Sequence, residues 1–324
     1  MTMNGESKMS TGDSPYRRAT LGTAKSSGLD LEGIPMKLFD KSKQLAWDPR
    51  DIPYESDRDD WAQLSDLQRY ALSGLTTLFQ GGEESVVGDL LPIIAWVARR
   101  GWLAEELYFG AFLMEEARHC QFFRIWLGQV LGEDYDLSEN FGPHYRRFFY
   151  EVLPEATHRL YTDDSPEALV RAVVTYNFVA EGVIAETGYF AYASQLKKVG
   201  RFKGLATAVS LLRRDESRHI RFGLYLLQRM INSDPSLWTA VQDQIQFTTP
   251  MALGSLQEHA PRFRERFGSD VPMLVPLEEI QAYGLRQMKH RMQALDRARG
   301  QTADELTASI LADIEGDEPD GQHS

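Results

Sequence analysis

Leu103-Ala-Glu-Glu-Leu-Tyr-Phe-Gly-Ala-Phe-Leu-Met-Glu-Glu-Ala-Arg-His-Cys-Gln-Phe-Phe-Arg-Ile-Trp-Leu-Gly-Gln-Val-Leu131 is the stretch whose reading decides the fold. Phe109, Phe112, Leu113, Glu116, Cys120, Phe123 and Leu127 fall on one stripe at three- and four-residue spacing, the period of a helix face. Similar runs flank it: Leu64 to Phe79, Glu83 to Arg99, and later about 167–196, 202–232, 236–265 and 276–299. Strand signals are scarce, and no Asn-Gly or Asp-Gly hairpin separates alternating segments. Breakers fall between runs at Gly132, Gly142-Pro143, Ser165-Pro166, Gly200 and Asp234-Pro235. Long helices joined by short loops pack antiparallel, so the sequence predicts an all-α bundle.

The ends read differently. Residues 1–30 are rich in Ser, Thr and Gly without periodicity and are expected to be a flexible arm. Residues 301–324 form an acidic tail, with a short helix expected over 302–313. The bundle is thus expected over 31–300.

Composition narrows the function classes. The 324 residues are 43% hydrophobic and 25% charged, an ordinary globular balance that excludes a disordered or collagen-like chain. A net charge of −12 argues against nucleic acid and anionic membrane as partners. One cysteine, Cys120, cannot form an internal disulfide, which fits a reducing cytoplasm. No apolar stretch follows Arg17 and Arg18, so a secretory signal is not expected. No window approaches the ~18 uninterrupted apolar residues of a spanning helix, so stable membrane insertion is not expected.

Two matching tetrapeptides carry the chemistry: Glu116-Ala-Arg-His119 and Glu216-Ser-Arg-His219. Three residues of helix advance about 300° and rise about 4.5 Å, so Glu and His point the same way from successive turns. A third match, Glu155-Ala-Thr-His158, reads as coincidence because no partner helix accompanies it. The other two have partners: Glu83 stands 33 residues before Glu116, and Glu181 stands 35 before Glu216. Each separation suits an antiparallel hairpin returning to a similar height. Glu83 shares its stripe with Phe79, Val86, Val87 and Leu90, and Glu181 with Val174, Phe178, Ile184 and Ala185. Four carboxylates facing one core would each cost several kcal/mol unpaired. Two divalent ions would neutralise them, and one Glu from each of two helices plus Glu-x-x-His from the other two is a di-metal carboxylate pattern. Oxygen and imidazole donors suit Fe and Mn. Glu84 and Glu115 are one-residue register alternatives to Glu83 and Glu116. Asp215, directly before Glu216, is a candidate acceptor for the N–H of a ligating histidine, His119.

With these motifs, and with Leu45-Ala46-Trp47-Asp48-Pro49 and Asp57-Arg58 ahead of them, the chain resembles the ribonucleotide reductase small-subunit superfamily, with its ferritin-like bundle, from about residue 34 to 300. Gly82-Glu83-Glu84-Ser85-Val86 and Val174-Thr175-Tyr176-Asn177, with Glu181-Gly182 and Thr187-Gly188-Tyr189, look closest to its ligand-binding oxidases. The resemblance implies Mn held by Glu83, Glu116 and His119, and Fe held by Glu181, Glu216 and His219, with Glu116 bridging and Glu216 a second candidate bridge. It also implies a long-chain fatty acid with its carboxylate at the metals, a homodimer, and an ether link between Tyr176 and the β-carbon of Val86. Val86 is three residues past Glu83 and shares its face. Tyr176 is five before Glu181, about 140° away on an ideal α-helix, so periodicity alone does not select it. On the same resemblance Tyr189 is an outer tyrosine and Trp47 covers the site.

The expected function is therefore an O₂-activating Mn/Fe or di-iron oxidase acting on C–H bonds, with an unidentified electron donor and a hydrophobic ligand. The first rival is a radical-generating subunit of ribonucleotide reductase. In that enzyme the radical tyrosine lies four residues past the first ligating histidine, where this chain has Phe123, and an aromatic relay lies near the C-terminus, where the last aromatic here is Tyr283. The second rival is a non-catalytic lipid-binding di-metal protein.

Overall fold

Ser65 accepts a hydrogen bond from the Gln68 amide while the Gln68 side chain accepts one from the Ser65 amide. This capping box satisfies two donors that would otherwise be orphaned and starts the long helix Asp66–Arg99. The computed structural model describes residues 21–132, 136, 138–299, 301, 302, 305 and 308. In chain order the main helices are α1 (Ile34–Gln44), α2 (Tyr54–Ala62), α3 (Asp66–Arg99), α4 (Leu103–Trp126), α5 (143–158), α6 (Pro166–Val199), α7 (Lys203–Ser233), α8 (Leu237–Gln257), α9 (His259–Phe267) and α10 (Leu277–Ala298). A π-helical turn, Leu127–Leu131, extends α4, and α6 contains a π-helical segment, Val174–Ala185. There is no β-strand among the described residues, and the fold is the expected all-α bundle.

Several boundaries differ from the sequence reading. The runs 64–79 and 83–99 are one helix, because Gly81-Gly82 does not break it. A Cβ at Gly81 would lie 2.7 Å from the Phe141 ring, so this glycine admits a close neighbour at a propensity cost of about 1 kcal/mol. The run 236–265 divides at Glu258 into α8 and α9. Helices α1, α2 and α5 were not anticipated: α1 and α2 are short, and α5 carries a π-helical stretch, Arg147–Val152, that disturbs its period. By length and mean hydropathy α6 could cross a membrane, although Glu167, Arg171, Glu181 and Glu186 interrupt its apolar run as expected, and 83% of its most apolar window is buried inside the protein. It is a core helix.

Of the expected arm, residues 1–20 lie outside the described residues, and a 3₁₀ turn, Gly22–Ala24, occurs in the remainder. Of the expected helix over 302–313, Glu305 and Ala308 are helical and most of the rest lies outside the described residues.

The core divides into two apolar clusters, and the polar layer between them positions the site. On α3, Phe79 belongs to one cluster and Val86 to the other, with Glu83 between. On α4, Phe112 and Phe122 belong to opposite clusters and flank Glu116 and His119; on α7, Phe222 and Leu212 flank Glu216 and His219. Asp57 on α2 ties the helix starts together. Its carboxylate accepts from the Gly204 and Leu205 amides in the first turn of α7, at 2.9 and 2.7 Å, and from the Trp126 indole at 3.0 Å. Phe202, just before α7, has φ of 67°, a left-handed conformation costly for a side chain of this size. Full burial of its ring and a 2.8 Å bond from its amide to Asp60 hold it there.

Candidate metal centre

Four helices deliver the six expected side chains to one place: α3 brings Glu83, α4 Glu116 and His119, α6 Glu181, and α7 Glu216 and His219. All are buried, none more than 5% exposed. Ligand atoms of Glu83, Glu116, His119 and Glu216 lie within 4.8 Å of one another, as do those of Glu116, Glu181, Glu216 and His219. Glu116 and Glu216 are common to both sets. Both Glu116 oxygens, one oxygen each of Glu181 and Glu216, and Nδ1 of both histidines have no hydrogen-bond partner among the described residues. His219 Nδ1 is 2.9 Å from a Glu116 oxygen, yet the two do not have hydrogen-bond geometry. Lone pairs that converge without bonding to each other are costly in a buried site unless a cation takes them. The residues fit a pair of divalent ions.

The titration behaviour agrees with that fit. Burial raises Glu83 to about 8 despite the neighbouring His119. Burial, then the charge of Glu116, pushes Glu181 well above the usual carboxylate range. Burial opposes ionisation of Glu116 too, but His219 and His119 outweigh it and hold that carboxyl well below its ordinary value. Both imidazoles rise against the effect of burial because carboxylates surround them. Without a cation, these groups must share protons to balance charge.

The outer supports cross between the two helix pairs. Asp215 precedes Glu216 on α7 but faces His119, whose Nε2 lies 3.3 Å from its Oδ2. Glu115 precedes Glu116 on α4 but faces His219, whose Nε2 lies 2.8 Å from its Oε2. With Nε2 engaged, each ring turns Nδ1 inward. Arg218 links the supports, donating to Asp215 Oδ1 at 2.6 Å and to Glu115. The Trp47 indole donates to Asp215 Oδ2 at 2.8 Å, and Arg118 donates to the same oxygen at 3.3 Å. The Phe112 ring stacks on His219 at 3.7 Å between centroids.

Glu115 is thus a functional candidate that sequence reasoning missed by treating it as a register alternative to Glu116. Its signal was present: it stands one residue before its Glu-x-x-His, as Asp215 does. Glu84, the other alternative, is exposed on the far face of α3. Glu115→Gln is expected to weaken metal binding at His219 by about 10–100-fold, with a smaller effect at His119. Asp215→Asn should reverse the order, and competition with a chelator distinguishes the two.

The π-helical segment of α6 explains a residue that α-helical periodicity could not select. A π-helix bonds i to i+5, so residues five apart lie about one turn above each other. Tyr176 therefore approaches the face of Glu181, and its hydroxyl donates to the Val86 carbonyl at 3.1 Å. One residue on, Asn177 donates to Glu181 Oε2 at 2.9 Å and orients that carboxylate. Tyr189 donates to Glu83 at 3.0 Å and lies 3.4 Å from Glu216. Phe123 packs against Phe79 and Phe122. Glu155-x-x-His158 lies on the surface, with His158 3.3 Å from Asp89, away from these groups.

A cavity of about 160 Å³ runs from the carboxylates toward the gap between α9 and α10. Glu83, Glu116, Glu181 and Glu216 line it together with mainly apolar side chains, including Val86, Phe149 and Ile184. Gly188 also lines it, and a Cβ there would meet the Phe79 ring at 2.8 Å.

Comparison with known proteins places this geometry. A family model described as ribonucleotide reductase, small chain, matches residues 36–249. Among solved structures, an R2-like ligand-binding oxidase with aerobically reconstituted Mn/Fe cofactor is 33% identical, with a TM-score of 0.78, over 86% of this chain and 98% of that one. A valine-to-leucine variant with aerobically reconstituted Mn/Fe cofactor has the same identity and coverage and a TM-score of 0.79. A tyrosine-to-phenylalanine variant with anaerobically reconstituted cofactor reaches 0.80 at the same identity and coverage. The bundle, its carboxylate and histidine metal site and these matches make the chain a metal-dependent oxidoreductase that belongs to the ribonucleotide reductase small-chain family, similar within it to the R2-like ligand-binding oxidases.

Proposed function

We propose that this protein is an O₂-activating Mn/Fe oxidase that binds a long-chain fatty acid and carries out two-electron C–H oxidation. The observation that carries the reading is the convergence of unpartnered Glu and His Nδ1 atoms at the inner end of an apolar cavity. Glu83, Glu116 and His119 would hold manganese, and Glu181, Glu216 and His219 iron, with Glu116 and Glu216 shared. When bound, the ions supply reduction of O₂ and an oxidant strong enough for an unactivated C–H bond.

The chain's residues do the rest. Asp215 and Glu115 fix the two imidazoles through Nε2. The apolar walls exclude water and competing reductants. Tyr176 and Val86 form the ether pair: the phenol O–H and the Val86 Cβ–H bonds break, an O–C bond forms, and two electrons and two protons pass to O₂. Tyr189 tethers Glu83, and Trp47 covers the outer side through Asp215. A fatty acid would lie along the cavity with its carboxylate at the ions.

A homodimer is part of the proposal. Leu91 on α3 and Met114 on α4 are 48% and 64% exposed, with open space at Gly88 and Gly110, and a second copy would cover these apolar side chains. A cytoplasmic location and an external electron donor complete it.

Anaerobic loading with Mn(II) and Fe(II), followed by metal counting and O₂ uptake, tests the function. Two ions per chain and O₂ consumption that continues with a reductant and a fatty acid are expected. A lipid carrier would oxidise once and stop, and a chain that binds no transition metal would end the reading.

A further inference from the structure

The outer part of the cavity is not uniformly apolar. Thr187, Gln195 and His259 all line it, and Thr187 Oγ1, Gln195 Oε1 and His259 Nε2 are buried with no hydrogen-bond partner among the described residues. Thr187 itself is fully buried. Buried helical threonines here otherwise bond the carbonyl one turn back, as Thr76, Thr175 and Thr248 do at 2.7, 2.8 and 2.7 Å. The Thr187 hydroxyl does not. It points into the seam with α10, where a Cβ added at Gly284 would lie 3.0 Å from it.

The three groups are spread along the channel. Thr187 is six residues past Glu181, more than one turn further along α6, and Gln195 is two turns beyond it on the same helix. Burial lowers the pKa of His259, which keeps that ring neutral. A buried donor or acceptor without a partner costs about 1–3 kcal/mol, so a wall carrying three has a standing preference for a ligand that satisfies them. An alkyl chain satisfies none. A hydroxyl can satisfy whichever of them its place on the chain lets it reach: it donates to the Gln195 oxygen, or it donates to or accepts from Thr187 or His259.

We propose that the ligand of this cavity is an oxygenated acyl chain, a fatty acid with a hydroxyl beyond its carboxylate, and that Thr187, Gln195 and His259 form the subsite that selects it. This rests on the reading above that an acyl carboxylate sits at the metal pair, and it adds the chemistry of the chain.

The test is equilibrium binding to the full-length protein, freed of lipid and loaded with Mn(II) and Fe(II) under nitrogen. The probes are octadecanoic acid, its mid-chain monohydroxy derivatives and octadecanol. At about 0.5–1.5 kcal/mol per added hydrogen bond, at least one hydroxy acid should bind roughly 3- to 10-fold tighter than octadecanoic acid. Thr187→Val, which keeps the shape and removes the hydroxyl, should bind the acids alike, and so should Gln195→Leu for a hydroxyl placed further out. Equal binding of all acids by the unaltered protein overturns the subsite, as does a preference that survives both substitutions. Octadecanol separates the two readings. If it binds as tightly as octadecanoic acid, the carboxylate-at-metal reading fails while a hydroxyl preference still supports the subsite. If no acid binds, both fail.

Discussion

Glu116→Ala is expected to abolish tight binding of both metal ions, not of one. Glu116 belongs to both groups of converging ligand atoms, and neither of its oxygens has a hydrogen-bond partner among the described residues. Its loss should cost more affinity than loss of an outer support, hence more than about 100-fold at each position. The consequence reaches stability. An ion that binds only the folded chain stabilises it by about 4 kcal/mol at 1,000 times its dissociation constant. In Glu116→Ala that metal-dependent gain should vanish at the same metal concentration. Glu155→Ala, in the surface Glu-x-x-His, should keep the metal content and the gain. Metal counting with denaturant unfolding, with and without metal, checks both. An unaltered metal content in Glu116→Ala would remove this residue from the centre.

The second large effect is expected far from the metals. Asp57→Ala removes one carboxylate that accepts three buried hydrogen bonds, two of them from the first turn of the helix carrying Glu216 and His219. A lost N-cap costs about 1 kcal/mol, and each buried donor left unsatisfied about 1–3 kcal/mol. A loss of about 3–5 kcal/mol in unfolding free energy is therefore expected from urea titration. Asp57→Asn keeps an acceptor oxygen and should lose less. The start of that helix also contains the left-handed Phe202, so metal affinity should fall along with stability as the helix loses its register.

Much of this molecule was legible in the sequence because helical spacing and ligand chemistry coincide. Glu83, Glu116, Glu181 and Glu216 interrupt apolar stripes, and an interrupted stripe needs a reason. The hairpin separations then fixed which carboxylates meet. What stayed hidden depends on departures from the ideal α-helix or on partners across the bundle. The π-helical segment Val174–Ala185 changes which residues share a face, so Tyr176 could be chosen only through resemblance. Glu115 was obscured by Glu116 beside it, since adjacent acids look interchangeable until the histidine they face is known. The cavity could not be read at all, because an apolar stripe looks the same whether its neighbours fill the space or leave a channel.

If this centre oxidises a C–H bond, peptide mass spectrometry of protein loaded anaerobically with Mn(II) and Fe(II) and then exposed to air will show it in the chain itself. The expected result is a species in which the Tyr176 and Val86 peptides are joined with loss of two hydrogens, appearing only after metal and O₂ and absent from Tyr176→Phe. Separate peptides in a fully metallated, O₂-exposed sample would contradict C–H oxidation at this centre, leaving a di-metal carboxylate protein whose chemistry lies elsewhere.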